Sequence, residues 1–270
     1  MNNTFEFSRF VRLLNRQWIS VGKIYLMALG IIAGIIIFFY AFNFRNLAEE
    51  DTYNNLTRLL NFRPFIFIVI GLSFISIISS SYFAGLGQKS KAIFDILIPA
   101  TTMEKFLSAI FYTVIVPTVS FLLIYFIIDF GFVSYLRSNF TATTSHFSPE
   151  LNKEIIVDNL NYYFLTPWPK QLYWFLYLPF LLSAIFLVGS IAFNNFHFIK
   201  TAITVVIYGL ILVFSIVRVM IWLTRNTIET NSYSFFNDEI NVLKIFCTVG
   251  IIVTILLWGI AYLKLKEKEV

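Results

Sequence analysis

Six stretches of about twenty apolar residues, near 24–42, 64–83, 106–129, 172–193, 201–222 and 243–263, carry no charge in their middle thirds. A hydrocarbon layer of roughly 30 Å needs about 20 residues of helix to cross it. Inside that layer every backbone N–H and C=O must find a partner within its own segment or a neighbour, which selects helices. The pattern predicts an all-α, polytopic integral membrane protein with about six transmembrane helices, forming a single transmembrane domain over residues 1–270. Composition agrees: 58% of the residues are hydrophobic and 13% are charged, against about 25% charged in ordinary soluble domains. A soluble chain of this length would have to place much of that apolar surface in water.

The charge is +5, and the bias of cytoplasmic loops toward Lys and Arg accounts for it without invoking nucleic acid. The short loops at 84–105 and 194–200 and the tail are all basic, carrying Lys89, Lys91, Lys105, Lys200, Lys264, Lys266 and Lys268. The lead-in adds Arg9, Arg12, Arg16 and Lys23, whereas Arg45, Arg58, Arg63, Arg137, Lys153, Lys170, Arg225 and Lys244 fall in longer, more acidic loops or at their edges. These loops set both termini in the cytoplasm, with Trp168, Tyr173, Trp174 and Tyr177 as an aromatic belt at the outer end of the fourth span. The first run has a long basic lead-in and no small-x-small site in Tyr40-Ala41-Phe42-Asn43-Phe44, so it is expected to be a span rather than a cleaved signal peptide.

Within the spans, Ser73, Ser76, Ser79, Ser80 and Ser81 make the second run the most polar. Serines there bond to carbonyls or neighbouring helices, so this helix is expected to face protein. Pro117 and Pro179 are expected to kink the third and fourth spans, with neighbouring groups satisfying the carbonyls they free. Asp129 and Arg218, near the outer ends, are expected to snorkel to the interface.

Five segments outside the spans carry a readable pattern. Over 5–20, Phe7, Phe10, Val11, Leu14 and Trp18 follow helical spacing while Arg9, Arg12, Asn15 and Arg16 lie mostly elsewhere on the wheel. This predicts an amphipathic interfacial helix on anionic headgroups, serving either as a topology anchor or as a lever toward a cytoplasmic partner. Between spans two and three, Gly85 and Gly87 release the second span, Lys89 to Leu97 can form a short helix, and Pro99 ends it. Thr101 and Glu104 have the spacing of a capping box that starts the next helix. Phe94, Ile96, Leu97 and Ile98 beside Lys89, Lys91 and Asp95 either dip into the interface or dock a soluble partner. In the outer segment 130–171, Ser148-Pro149-Glu150 predicts a helix start, with Leu151, Ile155, Ile156 and Leu160 on its apolar face. The polar outer stretches 43–63 and 223–242 cap a translocation path or are plain solvated loops.

Catalytic chemistry is not visible. The stretch ending Gly87-Gln88-Lys89-Ser90 has Gln88 and Phe83 where a phosphate-binding loop needs glycines. His146 and His197 fall on opposite sides of the membrane, and no His/Glu pair has metal-ligand spacing. Cys247 is the single cysteine and sits in an apolar run, which suits an inert thiol. No enzymatic activity, metal or cofactor is assigned to this chain.

The layout resembles the permease subunits of ATP-binding-cassette transporters of the type-2, exporter class. The resemblance rests on the amphipathic N-terminus, the six spans, the internal termini and the loop between spans two and three. Its sharpest part is Leu97-Ile98-Pro99-Ala100-Thr101-Thr102-Met103-Glu104-Lys105-Phe106-Leu107-Ser108, similar to a Leu-Pro-Ala-Ser/Thr-x-x-Glu-Lys-Phe segment of bacterial permease-like proteins. The resemblance implies a subunit of the bacterial cytoplasmic (inner) membrane that exports a substrate using ATP bound to a separate P-loop ATPase, paired with a second permease as a homo- or heterodimer. It also implies that 84–105 is a coupling loop, with Lys89, Lys91, Phe94, Asp95, Leu97, Ile98 and Glu104 docking the ATPase. Phe10, Arg12, Leu14, Arg16 and Trp18 would form the interfacial helix. The longest outer segment lies between spans three and four, whereas the family's larger exporters place theirs between five and six. The competing expectation is a non-transporting scaffold, immunity or assembly factor that acts through its outer segments.

Overall fold

The computed structural model describes residues 5–45, 60–83, 97–140, 143–148, 153–158, 160–165, 168, 170–193, 195–224 and 239–269. In chain order these form α1 (Phe7–Arg45), α2 (Arg63–Tyr82), α3 (Thr102–Ile110), a π-helical turn (Phe111–Ile115) and α4 (Val116–Asn139). Strands β1 (Thr143–Ser148) and β2 (Lys153–Asp158) follow, then α5 (Lys170–Tyr173), α6 (Leu178–Ala192), α7 (His197–Thr224) and α8 (Glu239–Glu269). Among the described residues, five helical stretches are long and apolar enough to cross a membrane: Phe7–Asn43, Arg63–Tyr82, Thr102–Asn139, His197–Val219 and Ile240–Glu267. The chain is a helical, multi-pass membrane protein.

The expected fourth span at 172–193 is broken. After α5 come turns, and α6 holds 15 residues, about 22 Å at 1.5 Å per residue and short of a roughly 30 Å core. Pro179 sits in the first turn of α6, where its missing N–H costs nothing, so it starts this helix instead of kinking it.

The expected division between an interfacial helix at 5–20 and a span at 24–42 is also absent. Helix α1 runs unbroken for 39 residues, because only the lone Gly22 and no proline interrupts the helix-forming residues between Trp18 and Tyr25.

The third span extends beyond 106–129 in both directions. Pro117 has no N–H to give the carbonyl of Thr113, four residues earlier. The helix adjusts with its π turn just before the proline, and the Ser79 hydroxyl donates to the Thr113 carbonyl at 3.3 Å. Ser76, Ser79 and Ser80 are buried while Ser73 and Ser81 are exposed, so one side of the serine-rich helix faces protein.

Between α4 and α5 the chain forms an antiparallel hairpin, with Thr143 opposite Asp158 and Ser148 opposite Lys153. The helix expected after Ser148 is therefore a strand where it is described. Ile155-Ile156-Val157 is a β-branched run, and such side chains suit a pleated strand better than a helix. Pro149, Glu150 and Leu151 lie outside the described residues.

The chain divides into two compact units. One comprises Met1–Leu14, Ile75–Ile115 and Pro169–Val270, the other Asn15–Phe74 and Val116–Trp168. The core of the first gathers Phe83, Phe106, Ala109, Leu187, Ile191, Ala261 and Leu265. There α6 packs against α7 and α8. The closeness has a cause: a Cβ on Gly189 would collide with the Thr201 side chain, and one on Gly250 with the Tyr177 ring. The core of the second unit is aromatic, with Phe67 in ring contact with Phe121, Tyr125, Tyr163, Phe164 and Trp168. Trp168 thus packs inward, its Nε1 donating to the Tyr163 carbonyl at 3.1 Å, and does not join the expected aromatic belt. Tyr173 is exposed, and Trp174 carries the Lys244 ammonium 6.0 Å from its ring centroid.

Candidate functional site

In the first unit, Thr101 caps α3. Its hydroxyl accepts from the Glu104 amide at 3.3 Å, and Glu104 Oε2 accepts from the Thr101 amide at 2.9 Å. This is the reciprocal capping box expected from the Thr-x-x-Glu spacing. A carboxylate has lone pairs to spare after one such bond. Glu104 Oε1 takes the Glu6 amide and Arg9 Nη2, each at 2.9 Å, and Arg9 Nε at 3.3 Å. Glu104 is 0% exposed, so its charge stands out of water with one guanidinium and two backbone amides around it. Arg9 is 27% exposed on its side chain and also faces the exposed Glu6 carboxylate at 3.5 Å. A few residues along α1, the Leu14 carbonyl accepts from Tyr112 Oη at 2.7 Å. The junction therefore ties three places together: the first turns of α1, the end of the loop before Thr101, and the first turn of α3.

Of the residues expected to dock a partner, Lys89, Lys91, Phe94 and Asp95 lie outside the described residues. Leu97 is 70% exposed and Ile98 half-buried. Glu104 is committed within the chain, so its carboxylate presents no surface to a partner. On α1, Arg12, Arg16 and Trp18 are exposed, Phe10 and Leu14 half-buried, and Leu13 buried. The inward side near the N-terminus thus carries Arg9, Phe10, Leu13 and Leu14. The stripe expected to face lipid has Phe7, Val11 and Trp18 exposed and Phe10 and Leu14 half-buried. By spacing alone Arg9 falls on the polar side; the acidic capping residue at 104, with unused lone pairs, is the one hint in the sequence of a distant cation.

The second unit contains a buried charged centre that its sequence position did not suggest. Asp129, expected to snorkel, is 2% exposed. Its Oδ1 accepts from Arg63 Nη1 at 3.2 Å and from Tyr40 Oη at 2.8 Å, and its Oδ2 accepts from the Tyr163 amide at 2.9 Å. Arg63, counted with the outer loop cations, is buried as well; it also donates to the carbonyls of Leu60 at 3.2 Å and Asn161 at 2.8 Å. Tyr125 Oη donates to the Arg63 carbonyl at 3.0 Å. Burial pushes the Tyr163 phenol up to about 12, opposed by the Arg63 cation and reinforced by the Asp129 anion, so this ring stays neutral at ordinary pH. Arg218, by contrast, is exposed, with its guanidinium 5.1 Å from the Phe214 ring centroid.

The chain matches no protein-family model, no curated protein and no solved structure. Among the described residues, no three of His, Cys, Asp and Glu come together as a metal site. What the two centres do is hold chain segments together by charge. The first joins an exposed loop end to two helix starts.

Proposed function

We propose that this chain is the membrane-spanning permease subunit of an ATP-binding-cassette exporter of the bacterial cytoplasmic membrane, with its termini in the cytoplasm. ATP is bound and hydrolysed by a separate P-loop ATPase, and a second permease copy or homologue completes the pair. The observation that carries this reading is the Glu104 junction. A loop that only connects two spans needs no buried carboxylate joining its end to the N-terminal helix. A loop that receives force from a partner does, because an untethered end would yield and absorb the motion. With Thr101, Glu104 and Arg9 locked together, displacement of the segment ending at Pro99 and Ala100 reaches the first turns of α1 and α3 at once. The exposed Leu97 supplies an apolar contact just before the lock. A ligand or partner shifts a conformational equilibrium only by its differential contacts with the two states, and here those contacts fall on the loop rather than within the spans.

The test is purification of the full chain with its membrane, followed by identification of bound proteins and assay of ATP hydrolysis. A stoichiometric P-loop ATPase is expected. Phe94→Glu combined with Leu97→Glu is expected to abolish stimulation of that ATPase while membrane insertion stays intact. Normal coupling in that variant would overturn the docking role. Absence of any ATPase would favour the scaffold or assembly role instead.

A further inference from the structure

The return of the chain from β2 toward α5 is held by helix side chains rather than by secondary structure of its own. Residues 160–165 and 168 form neither helix nor strand, yet Leu160 and Tyr163 are buried. Buried backbone groups require partners, and here they come largely from side chains. Arg137 Nη1 donates to the Leu160 carbonyl at 3.1 Å, Arg63 to that of Asn161, and the Tyr163 amide donates to Asp129. Arg137 also pairs with Asp158 at 3.0 Å, and Tyr162 stacks on Phe130 at 5.1 Å. Asp158, Leu160, Tyr162, Tyr163 and Phe164 thus lie along α4, meeting progressively earlier positions from Arg137 to Phe126.

We propose that residues 160–165, with Trp168, form a releasable strap over the aromatic core of this unit, and that the Arg63–Asp129 pair is its latch. Asp129 is the hub: its two oxygens hold α1 through Tyr40, the start of α2 through Arg63, and the strap through the Tyr163 amide. A buried ion pair adds little net stability compared with apolar packing of similar volume, but it fixes one arrangement, and removing one partner leaves a costly lone charge. The closed strap also has a cost. The Tyr163 hydroxyl is buried with no hydrogen-bond partner among the described atoms, a deficit that water would remove once the strap lifted. Beneath it lie Phe67 and Tyr125, rings that suit apolar or aromatic matter. This inference does not depend on the exporter reading, since it concerns the strap alone.

The experiment is amide hydrogen exchange on the full chain in lipid nanodiscs, comparing the parent with Asp129→Asn and with the double variant Arg63→Met/Asp129→Leu. The double variant replaces the pair with apolar residues, so it leaves no lone charge to unfold the helices. Exchange over 160–165 is expected to rise at least tenfold in both variants, including at Leu165, whose amide bonds Tyr162 rather than Asp129. Exchange in α4 is expected to stay within about twofold of the parent. Acceleration restricted to Tyr163 would mean a lost bond and no release, and loss of protection throughout α4 would mean a purely structural pair. Either result, or no change, would overturn the latch.

Discussion

Arg9 Nη2 lies 2.9 Å from Glu104 Oε1, joining residues 95 positions apart in the chain. The two ends of this bond are not equivalent, because Glu104 is fully buried and Arg9 is partly exposed. Removing Arg9 leaves an anion out of water, whereas removing the Glu104 charge leaves a cation that can still reach solvent or Glu6.

Arg9→Ala is therefore expected to destabilise more than Glu104→Gln. Breaking a buried pair costs about 3–5 kcal/mol, with the Glu104→Gln value falling well below that range. Thermal unfolding of detergent-purified variants reads the order. Equal losses would show that the pair is screened by water the burial does not suggest.

Thr101→Ala removes one half of the capping box and is expected to cost about 1 kcal/mol, while Thr101→Ser keeps the hydroxyl and most of the stability. Should the alanine variant unfold like the parent, the Glu104 side chain alone would suffice to start α3.

Ser79→Ala takes away a donor to the Thr113 carbonyl and is expected to cost about 1 kcal/mol. In a Pro117→Ala background an amide is restored four residues on, so the same substitution is expected to cost less. A double-mutant cycle measures the coupling, and additive losses would separate the serine from the proline.

Gly189→Val places a branched side chain where Thr201 already sits. Overpacking of this kind costs about 1–3 kcal/mol, and it is expected to loosen α6 from α7. Adding Thr201→Ala should recover part of the loss; no recovery would place the strain elsewhere.

Orientation is open to a direct check. In a Cys247→Ser background, Ser90→Cys is expected to react with a membrane-impermeant maleimide only in inside-out vesicles, and Ser145→Cys only in right-side-out cells. The reverse pattern would invert the termini.

The sequence by itself determined the membrane class, five of the long helices and the Thr101–Glu104 cap. Each of these follows from interactions a few residues apart or from runs long enough to cross lipid. Local signals were weaker where chemistry competed: Pro179 reads equally as a kink or a first-turn residue, and Ile155-Ile156-Val157 sits in a pattern that also fits a helix. Tertiary structure alone decided the fate of the charges. Asp129 looks like a residue that reaches for water, and Arg63 and Arg9 like members of basic flanks. Whether each is solvated or buried depends on a partner 66, 95 or more positions away, and periodicity carries no information across such distances. For the same reason the strap was not visible: its backbone is satisfied by side chains of helices distant in sequence, so nothing in its own residues marks it.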